Sequence, residues 1–136
     1  MNHIDAKTEP GKELDDLAHR IIGSAIEVHR ALGPGYIESV YEEALAIEFG
    51  LACIAFERQK AFGLSYKQQR VGEGRIDFLL ESRLVLEIKA VEAILSIHKA
   101  QVISYLKGTK CRLGLLINFN VKILKNGIQR IIWTDA

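Results

Sequence analysis

An α/β domain with a mixed sheet lying between helices is predicted for this chain by three observations. Apolar residues recur at spacings of three and four near the start, the pattern of amphipathic helices. The stretch Gly74 to Ala90 alternates apolar and polar residues around a short polar break, the pattern of a β-hairpin. Beyond it, a helical segment ending at Gly108 leads into the near-continuous apolar run Leu113 to Ile117, which suits a strand covered on both faces.

At 136 residues the chain can build one domain with a sizeable core, and 49% apolar with 26% charged residues is ordinary for a globular protein. No run approaches the ~18 apolar residues of a membrane span. The polar start, Met1 to Lys12, lacks the apolar centre of a secretory signal. A cytoplasmic protein with no membrane partner is expected. Residues 1–12, with Pro10-Gly11 as a break, read as a flexible leader and 13–136 as the single domain. Cys53 and Cys111 stand alone, as buried reduced thiols would. The net charge of +1 hides an asymmetry: residues 1–60 carry 6 Lys+Arg against 11 Asp+Glu, and residues 61–136 carry 12 against 6. A basic second half can meet phosphate, but the overall balance excludes a protein that coats DNA by charge.

In chain order, Leu14, Leu17, Ile21, Ile22, Ala25, Val28 and Leu32 give one apolar helical stripe from Glu13 to Leu32. Gly33-Pro34-Gly35 ends it, because proline cannot continue a helix. A second helix is expected from about Ile37 to Gly50, with Val40, Leu45 and Ile47 facing the core and Glu38 in its first turn. Cys53 to Arg58 reads as a strand, Ala61 to Arg70 as a strand or arm, and Val71 to Gly74 as a turn. After the hairpin, Val91 to Leu95 is ambiguous. Ser96 is a candidate N-cap for a helix over Ile97 to Lys107, packed through Ile97, Ala100, Val102, Ile103 and Leu106. His98, Gln101 and Tyr105 share a stripe of that helix. The strand over Arg112 to Asn118, a turn at Lys125 to Gly127 and a last strand over Ile128 to Trp133 complete the order.

The hairpin carries the chemistry. Ile76, Phe78, Leu80, Leu84, Leu86 and Ile88 are all even-numbered, so they form one apolar face. Turning that face one way on both strands requires paired positions to sum to an even number, which the loop Glu81-Ser82-Arg83 achieves by pairing Leu80 with Leu84. Asp77 then lies opposite Glu87, with Cβ atoms about 4.5–5.5 Å apart, and Lys89 follows on the same face. Facing carboxylates repel unless a cation joins them. Asp77, Glu87 and a backbone carbonyl, that of Ile88, make an oxygen-rich site suited to Mg²⁺ or Mn²⁺. Lys89 could orient a water or neutralise charge on a reacting phosphate. The set fits phosphodiester hydrolysis.

Ile76-Asp77 followed by Glu87-Ile88-Lys89 resembles the PD-(D/E)XK nuclease superfamily, with Ile76 in place of the proline. Gly35-Tyr36-Ile37-Glu38-Ser39-Val40-Tyr41 matches the GxxExxY signature of a bacterial family within it, and the likeness continues through 87–90, 98–106 and 112–119. The resemblance implies a restriction-endonuclease-like core (α-β-β-β-α-β), its mixed central sheet flanked by helices, plus an extra N-terminal helix. It implies Asp77 and Glu87 as metal ligands, Lys89 as the catalytic base, and Glu38 as a supporting ligand, direct or through water. Gln101 and Tyr105, with His98 as a neighbour, match a motif beside the substrate. The function so implied is a Mg²⁺- or Mn²⁺-dependent nuclease, on DNA in preference to RNA, and a homodimer would let it cut both strands. The alternative is a non-catalytic module of the same fold that binds nucleic acid or a protein partner.

Overall fold

A computed structural model of the chain describes residues 11–134; most of the expected leader lies outside them. Helices α1 (Lys12–Leu32) and α2 (Glu38–Leu51) come first. Strands β1 (Phe56–Tyr66), β2 (Gln69–Leu80) and β3 (Leu84–Lys89) follow, then α3 (Ser96–Thr109), β4 (Leu113–Asn118), a 3₁₀ turn (Leu124–Gly127) and β5 (Ile128–Ile132). The sheet order is β1-β2-β3-β4-β5, antiparallel except for the parallel β3–β4 pair that α3 connects. This mixed sheet flanked by helices is the predicted architecture. Among the described residues no helix is long and apolar enough to cross a membrane.

Burial explains the layering. Leu14, Leu17, Ile21, Ala25 and Val28 of α1 and Tyr41, Leu45 and Phe49 of α2 pack against Phe78, Leu80, Leu84, Leu86 and Ile88. On the opposite face Val102 and Leu106 of α3 cover Leu79, Val85 and Leu116. All six residues of β4 are buried, as a strand between two helical layers must be. The hairpin register is the one parity demanded, with Leu80 paired to Leu84. Glu81 and Ser82 turn it by adopting left-handed φ of 53° and 57°. Glu81 also ties the turn down: its N–H donates to the Ala55 carbonyl (2.9 Å), and its carboxylate accepts from the Ala55 N–H (3.0 Å).

Several expectations need correction. Ile76 leaves the even face and packs with Leu79 and Val85 under α3, because regular pairing stops at Asp77 and the strand turns over there. Gly72 and Gly74 lie inside β2, and the turn is Lys67-Gln68 instead. The glycine at 74 serves a close approach: a Cβ there would lie 2.4 Å from the Phe62 ring across the ladder. The same ring meets Gly108, so that glycine sits within the last turn of α3 and the left-handed residue ending the helix is Lys110. The α2 stripe is Tyr41-Leu45-Phe49, leaving Ile47 65% exposed, and on α3 Ile97 is likewise outside. Cys53 is an exposed residue in the turn after α2, so β1 begins only at Phe56; Cys111 is buried as expected.

At the junction of β4, the 3₁₀ turn and β5, Gly127 packs closely against the backbone at the end of β4. A Cβ at Gly127 would stand 2.2 Å from the Asn118 carbonyl oxygen, an atom with no freedom to move aside. Gly127→Ala should therefore cost about 1–3 kcal/mol of stability. The loss should appear in denaturant melts as a lower midpoint with unchanged slope.

Candidate active site

The β2–β3 ladder is regular through Phe78↔Leu86 and then ends. One step further, where Asp77 and Glu87 oppose each other, side chains take over the backbone's hydrogen bonds. Glu87 Oε2 accepts from the Asp77 N–H, and Asp77 Oδ2 accepts from the Ile88 N–H, both at 2.8 Å. Each acid thereby stands in for a carbonyl of the facing strand, and the two strands part around them. On the far side of Asp77 the β1–β2 ladder skips from Arg58↔Phe78 to Lys60↔Ile76. Gln59, in the gap, holds a left-handed φ of 50°, a conformation costly for a side-chain-bearing residue. Its amide donates to Asp77 Oδ1 at 3.2 Å and to Glu42 Oε1 at 2.9 Å. Arg58 donates to the same Glu42 at 2.8 Å, which fixes that carboxylate in turn.

Glu87 is only 3% exposed. Burial first, and then the Asp77 charge, push its pKa up to about 8; the Asp77 N–H and Lys89 pull the other way, and Glu38 adds repulsion. Asp77 is also raised, by burial first and by Glu42, against the hydrogen bonds from Ile88 and Gln59. The pair is short of positive charge. Lys89 Nζ donates to Gln101 Oε1 on α3 at 3.2 Å, and among the described residues it hydrogen-bonds to neither acid. The Tyr105 phenol is raised by burial and by the Glu87 and Asp77 charges, so it keeps its proton near neutral pH. Its ring meets Phe62 edge to face at 5.4 Å.

The site thus draws on β2, β3 and α3, with α2 at its margin. Asp77, Glu87, Lys89, Gln101 and Tyr105 come together. Glu38 is exposed in the first turn of α2 and reaches Glu87 through its charge alone. His98 Nδ1 accepts the Leu95 N–H at 2.9 Å, which makes Leu95, in extended conformation, the residue before the helix and leaves Ser96 inside it. Glu42, Gln59 and Asn118 were missed. Glu42 lies one helical turn from Glu38 on the same face, a spacing that could have pointed to it. Asn118, 2% exposed at the end of an otherwise apolar strand, binds both the N–H and the carbonyl of Val91, pinning the chain just after Lys89. A lone amide ending such a strand was its available signal.

The sequence profile of the PD-(D/E)XK nuclease superfamily matches residues 15–131. The chain belongs to this superfamily. The crystal structure of SSO0001 is similar in fold, with a TM-score of 0.50 at 19% identity over 71% of this chain and 48% of that one. This chain therefore spans about half the length of that protein. No curated protein sequence matches it. PD-(D/E)XK nucleases generally use divalent metals, and the donors here fit a hard ion: all are oxygen, and two are buried acids in mutual repulsion. Among the described residues no three His, Cys, Asp or Glu side chains converge, so an ion would take two carboxylates and complete its shell from carbonyl, water and substrate oxygens.

A carboxyl whose pKa rises from 4.5 unfolded to about 8 folded binds its proton more tightly in the native state. Its contribution to stability is fully present below pH 4.5 and is lost as pH climbs to about 8, on the order of 3–5 kcal/mol in all. Glu87→Gln should flatten that slope. Denaturant titrations in EDTA from pH 5 to 8.5 test it; parallel curves for the two proteins would contradict the electrostatics described here.

Proposed function

We propose that this protein is a Mg²⁺- or Mn²⁺-dependent nuclease of the GxxExxY family that hydrolyses phosphodiester bonds, in DNA in preference to RNA. The observation carrying this reading is the reciprocal bonding of Asp77 and Glu87 across two parting strands, with Lys89 two positions on, in a chain of the PD-(D/E)XK superfamily. Asp77 and Glu87 would hold the ion, with the Ile88 carbonyl as a further ligand and Glu38, which does not converge with the pair, supporting it through water. When bound, the ion would supply Lewis acidity toward a phosphate oxygen and lower the pKa of a bound water. Lys89, tethered by Gln101, would orient the attacking water and balance negative charge gathering on phosphorus. Tyr105 would donate a hydrogen bond to a phosphate oxygen from its neutral phenol. Gln101 and His98 would line the substrate's approach along α3.

The second reading, a nuclease-fold module that binds nucleic acid or protein without cutting, draws on the fact that both acids already accept backbone N–H bonds. A cleavage screen separates the two. Single-stranded, duplex, flapped and RNA substrates would each be incubated with Mg²⁺, Mn²⁺ or EDTA. Metal-dependent products are expected, falling at least 100-fold with Glu87→Ala or Lys89→Ala while the thermal melt stays cooperative. Nucleic-acid binding without products, in every metal, would favour the module.

Gln59 is expected to act through Asp77 without touching substrate. Partners behind metal ligands are typically worth 10–100-fold in metal affinity or activity. Gln59→Ala should raise the Mg²⁺ concentration for half-maximal rate about 10-fold and lower the saturated rate much less. An equal loss at saturating Mg²⁺ would sink that assignment.

A further inference from the structure

Next to the acid pair lies a groove of about 510 Å³ lined by Gly35, Tyr36, Ile37, Glu38, Ala90 and Asn120. It adjoins the site at two points. Ala90 directly follows Lys89, and Glu38 is the residue whose charge is felt at Glu87. Its walls are chemically selective. Among the described residues no cation lines it and Glu38 contributes a negative charge, so the lining disfavours phosphate. What remains is an aromatic ring, aliphatic surface and one amide. Tyr36 is 50% exposed and Ile37 71%, large apolar groups left open beside a polar centre. Tyr36 is nonetheless held firmly. Its backbone N–H donates to the Tyr41 hydroxyl at 3.2 Å, and its ring sits edge-on to Tyr41, which stacks on Phe119 at 4.6 Å. Asn120 donates its backbone N–H to Asn118 Oδ1 at 3.1 Å and reaches the Val91 carbonyl only at 3.5 Å through Nδ2. Its Oδ1 bonds to nothing among the described residues.

We infer that this groove receives one unpaired nucleobase of the substrate strand, stacked on Tyr36 and edge-bonded to Asn120, beside the phosphate to be cut. The inference rests on the nuclease reading and deepens it. A neutral planar heterocycle with hydrogen-bonding edges is the ligand that a tyrosine, an aliphatic wall and an amide jointly suit. A base inside a duplex cannot enter without leaving its stack, so the groove selects single strands, flaps or frayed ends over blunt duplex.

The test uses the full chain and oligodeoxynucleotides carrying 2-aminopurine at successive positions, bound in Ca²⁺ or EDTA and followed by fluorescence and anisotropy. Quenching is expected at one position of the single strand. Tyr36→Ala should remove that quench and weaken single-strand binding about 5- to 150-fold, the range for losing one stacked base. Tyr36→Phe and Tyr36→Trp should keep both, and blunt-duplex binding should not change. Asn120→Ala, with an unchanged melting temperature, should level any preference among bases at the quenched position. Nucleic-acid binding or cleavage with no position quenched, or with Tyr36→Ala weakening duplex and single strand alike, overturns the pocket and leaves the nuclease standing. Absence of all nucleic-acid binding and cleavage overturns both.

Discussion

The structure depends on a substitution of side chains for backbone at the point where β2 and β3 separate. A buried N–H left without an acceptor costs about as much as a lost hydrogen bond, so a sheet cannot simply open in its interior. Here it opens because Glu87 and Asp77 each supply the acceptor that the neighbouring strand withdraws. The acids are thereby oriented by the same bonds that finish the sheet, with no freedom to fold away from one another. Burying two carboxylates at that spot is unfavourable, and the raised pKa values of both record it. What holds them there is the surrounding sheet, covered by α1 and α2 on one face and by α3 on the other.

Parity explains which parts were legible in the sequence. A one-residue slip would turn the apolar set of one strand, Phe78 and Leu80 or Leu84 and Leu86, away from the core, so burial alone fixed the pairing of Leu80 with Leu84 and brought Asp77 opposite Glu87. The rule fails where regular pairing fails. Ile76 is even-numbered, yet it packs with the odd set, because the chain crosses the gap at Asp77 before reaching it. Gln59 and Glu42 escaped for a related reason. A left-handed glutamine in a strand has no signature in composition, and Glu42 has its hydrogen-bonded link to Asp77 through that glutamine. The glycines of β2 misled in another way. They read as turn residues, whereas Gly74 is small because the Phe62 ring crosses it, and the turn itself falls on Lys67-Gln68, which carry no glycine signal.

Gly35, Glu38 and Tyr41 acquire a physical reading from the loop between α1 and α2. Gly35 holds a φ of 111°, open to glycine and strained for other residues. Six residues on, the Tyr41 hydroxyl donates to the Gly33 carbonyl at 2.6 Å and accepts the Tyr36 N–H at 3.2 Å, closing the loop from inside the core. Tyr41 itself is fully buried against Phe119. The start of α2 is therefore set by one tyrosine, and with it the positions of Glu38 and Glu42 near the acids. An aliphatic residue at 41 could fill the volume, but it could not satisfy those two backbone groups.

Phe119 links this loop to the lysine. Its ring carries Tyr41, and its N–H donates to the Lys89 carbonyl at 2.9 Å. One residue earlier, Asn118 grips Val91 by both its N–H and its carbonyl. The end of β4 thus fixes the backbone on which Lys89 stands and, through the stacked rings of Phe119 and Tyr41, supports Tyr36 at the mouth of the groove. Close-packed interiors transmit small displacements instead of absorbing them. A ligand pressing on Tyr36 and a phosphate meeting Lys89 would bear on the same few side chains. The wall of the groove is therefore continuous with the support of Lys89, so on the nuclease reading a base in the groove and a phosphate at the lysine would share one scaffold.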